Sequence, residues 1–402
     1  MNCRTPALLL LATTGWACAH AAPPASTAPA EGTGKPEVVI GPHAMEGGDL
    51  ALAAWLVYGM KRAQILGERA GHFHNQSGDD YAIELGARQA MLDFWSEKAG
   101  GKANPEFDLL LEVRKAGFLE EYVVAFFARP GWTIPADAVT ALDLPGFRKW
   151  GGKRLAGHEP QIGAMAKPAS GRQWPDPPGA KLPNVDELSP KKVPCSDSTP
   201  RVSAALAAWD EEERALDGRP VAATSRDDFL SVLAWARDQP AYKGEALTWV
   251  TPAVLDYQFL LGFCAVDRHD TPAAVAALGK AVHMAPLTPN VRLELAQALL
   301  GARRFDEADA HIDLVLKTTD DRCGLAVAWR KRGLLLVERG KLEPAYTAYQ
   351  KSLEYEPSSR IALNEMLLIR REAARLGGPT ARAFKEIKPP PLGGQVVTEC
   401  KE

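Results

Sequence analysis

The chain has 402 residues, of which 46% are hydrophobic and 24% charged, an ordinary globular composition with room for two or three domains. The formal net charge is −3 and the pI is near 6.3. That balance excludes a nucleic-acid surface, which needs clustered Lys and Arg in excess.

Residues 1–21 read as a secretion signal, with Arg4 as the positive start, an apolar stretch at 7–12, and Ala19-His20-Ala21 as a small-x-small cleavage site. The expected location is therefore outside the cytoplasm, in the periplasm of a bacterial-type envelope. Lipid anchoring at Cys18 is the alternative, and Trp16 fits it poorly. No later apolar run approaches the roughly 18 residues of a membrane span, so no transmembrane segment is expected. The closest, 50–60, is stopped by Lys61-Arg62. Residues 22–46 are rich in Ala, Pro, Ser, Thr and Gly and carry too little bulk to offset their ordering entropy, which predicts a flexible tether.

From 47 to 160 apolar residues recur at three- and four-residue spacing over 50–69, 79–98, 105–128 and 144–155, with Ser77 or Asp79 and Asn104-Pro105 as start signals. Trp55, Trp95, Phe107, Tyr122 and Trp150 supply bulk for a small domain of four or five helices. Seven prolines between Pro168 and Pro194 interrupt regular structure over 161–199, a Pro-rich linker. Helical patterns resume at 200–216 and 226–237, the second capped by Ser225 with Asp228 three residues on. They are expected as a helical pair over 200–254 that caps the last third of the chain.

That last third repeats itself. Ala274, Ala308 and Ala345 stand 34 and then 37 residues apart, each followed at four positions by Leu278, Ile312 or Tyr349 and at seven by Ala281, Val315 or Ser352, the i, i+4, i+7 spacing of one helix face. Gly262, Ala296 and Gly333 precede the marker alanines by twelve residues, where a side chain would hold two crossing helices apart. Thr251-Pro252, Thr271-Pro272 and Thr288-Pro289 predict helix starts with a capping hydroxyl before a first-turn proline. With Trp329, Gly340, Pro286, Pro357 and the phrase Arg304-Phe305-Asp306-Glu307-Ala308, this pattern resembles the tetratricopeptide repeat, a family of helix-turn-helix units. Asp320 replaces the closing proline of the second unit. The units run 255–288, 289–322 and 326–359, a capping helix completes the region 255–375, and 376–402 is a C-terminal tail. The fold class is all-α: a helical N-terminal domain plus an α-solenoid of three repeats, stacked because single units cannot bury their apolar faces.

Chemistry-bearing patterns are weak. His72 and His74, near Glu68, Asp79, Asp80 and Glu84, lack zinc-site spacing and read as a polar loop. Gly151-Gly152-Lys153-Arg154 reads as a helix end rather than a phosphate loop. No G-x-S-x-G, P-loop, dinucleotide fingerprint or H-E-x-x-H occurs, so no catalytic residue, metal or cofactor is assigned. Beyond the leader remain Cys195, Cys264, Cys323 and Cys400, which permit two bridges in an exported protein. A Cys264–Cys323 bond would span two helix-pair widths of about 10 Å each and is disfavoured. Cys195 and Cys400, in linker and tail, are free to reach a partner, and Cys264 as a buried free thiol stays open.

The resemblance implies that the first helix of each unit lines a concave groove for a protein or peptide partner. The places concerned are Phe259, Phe263 and Val266, then Leu293, Gln297 and Leu300, then Arg330, Lys331 and Leu334, with Asn364 and Leu368 on the capping helix. Phe259 and Phe263 stand where one subset of the family uses Lys and Asn to grip C-terminal carboxylates, so that clamp is absent. The groove reads as apolar, with a basic end at Arg330-Lys331, suited to an amphipathic helix or an extended peptide with an acidic end. The other reading of these side chains is packing between repeats, or cover by the chain's own tail. The function expected is an exported, non-enzymatic adaptor or assembly factor. Its alternative is an enzyme or small-ligand-binding protein whose site, around His72, His74 and His158, lies in the N-terminal domain.

Overall fold

The computed structural model describes residues 25–29 and 36–40 as backbone, and 44, 47–69, 81–156, 176–183, 185–189, 192–378, 381, 382, 384 and 400. The expected leader, Cys18, His72, His74 and His158 lie outside the described residues. The fold is all-α in class, with two small sheets among the described residues, and it divides into two compact units: 1–182 with 208–252, and 183–207 with 253–402.

In the first unit, β1 (Ala25–Pro29) and β2 (Pro36–Ile40) pair antiparallel and lie against α1 (Asp49–Arg69). The segment read as a tether thus forms a ladder in these two stretches, because β-branched Val38, Val39 and Ile40 supply strand preference that overall composition hides. The helices α2 (Tyr81–Lys98), α3 (Pro105–Lys115), α4 (Leu119–Phe127), α5 (Ala136–Ala141) and α6 (Leu144–Leu155) come next along the chain. α3 begins where Asn104-Pro105 predicts: the Asn104 side chain accepts from the amides of Glu106 and Phe107. The single helix expected over 105–128 breaks in two, with Gly117 at φ +79° in the turn. Trp95 stacks on Phe107 with centroids 4.3 Å apart, and Trp55 lies 5.8 Å from the same ring; all three are buried.

The stretch 208–252 completes this unit, where the sequence predicted helices capping the repeats. β4 (Arg219–Ala222), α8 (Arg226–Ala236) and β5 (Leu247–Val250) form a crossover, β5 pairing parallel to β4 and antiparallel to β3 (Thr133–Ile134). Parallel neighbours require such an intervening helix. Phe229 of α8 stacks on Trp249 at 5.0 Å, and Trp249 Nε1 donates to the Ala223 carbonyl. Before this crossover runs α7 (Cys195–Glu213), which starts ahead of Pro200, the expected first residue.

The second unit contains α9 (Pro252–Asp267), α10 (Thr271–Met284), α11 (Pro289–Gly301), α12 (Phe305–Thr318), α13 (Arg322–Glu338), α14 (Leu342–Tyr355) and α15 (Arg360–Leu376). From α10 to α15 each helix packs on the next, and α11 also meets α13. Ala274, Ala308 and Ala345 are fully buried. The small residues work as the spacing implies: a Cβ on Gly262 would come within 2.5 Å of Leu278 Cγ, and one on Gly333 within 2.6 Å of Tyr349 Cε2. The capping hydroxyls differ from expectation. Asp270, not Thr271, caps α10 by accepting from Ala273 N, and Thr288 sits at the cap of α11 without a side-chain hydrogen bond.

Each first helix ends in the same turn. The amide of His269 donates to the Val266 carbonyl and that of Asp270 to Ala265. Arg303 and Arg304 repeat this on Leu300 and Leu299, and Gly340 and Lys341 on Val337 and Leu336. His269, Arg303 and Gly340 have φ of 57°, 58° and 70°, which makes three Schellman-type caps at the 34- and 37-residue spacing of the marker alanines.

Two disulfides lock this unit, Cys195–Cys264 and Cys323–Cys400. Cys264 is therefore not a free thiol, and the linker and tail cysteines find their partners within the chain. Phe384 is buried against Tyr346, ring centroids 5.4 Å apart, in a cluster with Tyr349, Met366 and Ile369.

Candidate functional site: the first-helix face of the repeats

The eleven positions expected to line the groove separate by burial. On α9, Phe263 is 42% exposed, with Phe259 and Val266 half-buried one turn to either side. On α11, Gln297 is half-buried and accepts from Lys331 Nζ of α13 at 3.0 Å, a contact between first helices of successive units. Leu334 is half-buried, Asn364 exposed, and Leu368 of α15 is 52% exposed. These eight make up the accessible set.

Three positions leave it. Leu293 and Leu300 are 1% and 6% exposed and pack between helices. Arg330 points inward: its guanidinium pairs with the Glu356 carboxylate and lies 3.4 and 3.3 Å from the hydroxyls of Ser352 and Ser359. The basic end predicted at Arg330-Lys331 thus reduces to Lys331, because a guanidinium buried among an anion and two hydroxyls offers nothing to a partner. No sequence pattern separates Arg330 from its neighbour; the signal was Glu356 and Ser359, 26 and 29 residues on.

The Glu356 side chain also receives the backbone N–H of Cys400 at 2.8 Å on its other oxygen, and Ser359 caps α15 by accepting from Ala362 N. The last disulfide, the buried ion pair and the start of α15 are one connected network.

In the first unit, Glu84, one of the carboxylates near the histidine pair, is committed elsewhere. It pairs with Arg62 and Arg88 and accepts from the Tyr58 hydroxyl at 2.7 Å, with all four residues 5% exposed or less. Burial pushes the Tyr58 phenol up, but Arg62, Arg88 and Arg129 outweigh it and hold the phenol below its usual range. Sealed from solvent, this cluster ties α1 to α2. Gly151 to Arg154 close α6, with Arg154 donating to the Trp150 carbonyl, as a helix end does. Among the described residues no three His, Cys, Asp or Glu side chains are grouped to hold a metal ion, and no helix is long and apolar enough to cross a membrane.

Three consecutive helix pairs with a capping helix, small residues at each crossing and contact between the first helices of the second and third units define an α-solenoid of short repeats. The tetratricopeptide repeat family model matches residues 265–328, and the C-terminal region of this chain is a tetratricopeptide repeat region. Similar solved structures include the first repeat domain of Spaghetti (RPAP3) bound to the HSP90 peptide SRMEEVD, at 25% identity over 28% of this chain and 87% of that one, with a TM-score of 0.26. The first such domain of human RPAP3 has 24% identity, the same coverage and a TM-score of 0.26. The Sgt2 domain from Aspergillus fumigatus has 21% identity over 36% of this chain and 89% of that one, with a TM-score of 0.28. No curated protein matches the chain. The assignment rests on the family model together with the helix pairs and their turns.

Proposed function

We propose that this chain is an exported adaptor or assembly factor of the cell envelope, which holds a segment of another protein along the first helices of its repeats. The observation that carries this reading is Phe263, a large aromatic side chain left 42% exposed at the head of a row that continues through Gln297, Lys331 and Leu368. Aromatic side chains that become buried on association dominate binding energy. Export is supported by two disulfides in one chain, since such bonds persist in oxidising compartments. The buried aromatic core of the first unit, Trp95 stacked on Phe107 with Trp55 tilted against it, favours the adaptor over an enzyme with its site there. The test is Phe259→Ala/Phe263→Ala: the partner captured from envelope extracts by the native chain is lost, while circular dichroism keeps its helical signal. Unchanged capture of the same partner by the double variant would refute the reading.

A further inference from the structure

Among the described residues, seven large hydrophobic side chains are exposed, and four of them, Ile361, Leu367, Leu368 and Leu376, lie on α15. That concentration on the last helix of the stack marks a contact surface rather than scattered exposure. Its charge is one-sided. The exposed residues of α15 include Arg360, Arg371 and Arg375 and no carboxylate, its two glutamates being half-buried. Glu372 holds Arg375 through two hydrogen bonds, and among the described residues Arg360 and Arg371 have no carboxylate partner.

We propose that this face of α15 docks an acidic amphipathic segment of another protein. The inference rests on the reading of the repeats as a protein-interaction module, and it places the contact on α15 at the end of the stack, the helix that contributes Asn364 and Leu368 to the accessible positions. At about 100° per residue, the three arginines occupy the middle of the exposed arc, with Leu367 on one margin and Leu368 and Ile361 on the other, while Leu376 in the last turn lies outside it. The occupant must bring carboxylates to the centre and apolar side chains to both edges. A membrane surface matches less well, since an interfacial helix has its apolar side chains together and its basic ones at the rim. A symmetric second copy would set arginine against arginine. The chain's own end, 385–402, has three Lys and three Glu and so no net charge to complement the face.

The test uses the full chain with its disulfides intact and a labelled synthetic helix of about 16 residues, Glu at the centre of one face and Leu at its margins. Its Gln-for-Glu counterpart and anionic phosphatidylglycerol vesicles serve as competitors. Fluorescence anisotropy should show the Glu peptide binding at least tenfold more tightly than the Gln peptide, with affinity falling as salt rises. Arg360→Glu/Arg371→Glu should lose at least tenfold for the Glu peptide and gain for a Lys-centred one, a gain that an unfolded variant cannot produce. Equal binding of Glu and Gln peptides overturns the proposal, as does indifference to the charge reversal. It falls equally if vesicles bind and the peptide does not, or if the reversal only dissolves a dimer. Binding lost in Phe259→Ala/Phe263→Ala but kept in the charge reversal would move the contact to the first helices, overturning this inference and leaving the adaptor reading intact.

Discussion

Arg330 and Glu356 form an ion pair inside the third helix pair, their side chains 4% and 5% exposed. Removing one member of a buried pair costs about 3–5 kcal/mol, whereas replacing both with apolar residues of similar size is often neutral. Glu356→Ala, which leaves the guanidinium with neutral acceptors, should therefore lower the urea midpoint sharply. Arg330→Met/Glu356→Met should recover most of the loss. A single variant as stable as the native chain would mean that the pair is not buried.

The Cys323–Cys400 bond closes a loop with a sequence separation of 77, and removing a native bridge costs about 2–5 kcal/mol. Cys400→Ser should also release the amide that donates to Glu356. The amides of α15 should then exchange with solvent faster than those of α9, which the other bridge still holds. Uniform exchange across the repeats would contradict the network.

His311 is held neutral. Burial first, and then the neighbouring Arg292 charge, push its imidazole down to about 4 from 6.5, and Arg292 lies 2.9 Å from its Nδ1. The unfolded chain binds this proton more readily, so the contribution is complete above pH 6.5 and is lost as pH falls toward 4. Unfolding free energies measured across that window should fall less steeply for His311→Gln. An unchanged slope would show that His311 titrates normally in the fold.

Two helical glycines should respond oppositely to alanine. At Gly279 nothing lies within 4 Å of an added Cβ, so Gly279→Ala should stabilise by about 0.4–1 kcal/mol. At Gly333 the added atom meets the buried Tyr349 ring, and overpacking of about 1–3 kcal/mol outweighs the propensity gain. Ala308→Leu should cost a similar amount, because Ala308 is fully buried between its helices. Thermal melts of the three variants decide this, and a Gly333→Ala gain would mean the helices cross less closely.

The repeats were legible because their period repeats small residues at crossings that tolerate nothing larger. Their turns were less so, since only Gly340 of the three left-handed positions is a glycine; His269 and Arg303 hide the same cap. The β4–α8–β5 crossover escaped notice because all four residues of β5 are buried, which erases the alternation that marks a strand. Of the eleven positions that the repeat pattern offers for the groove, eight keep some exposure. Arg330 could not be told from them, since its inward turn depends on Glu356 and the two serines rather than on its own helix.

The adaptor reading is tested most directly by photo-crosslinking in the native envelope, with a photoreactive phenylalanine analogue placed in turn at Phe263, Leu334 and Leu368, and at the exposed Ala276 and Thr347 of the second helices. The two first-helix positions and Leu368 of the capping helix should label one and the same short segment of a single partner, and Ala276 and Thr347 should not. Labelling from the second helices with none from the first would contradict an adaptor that holds its partner along this row.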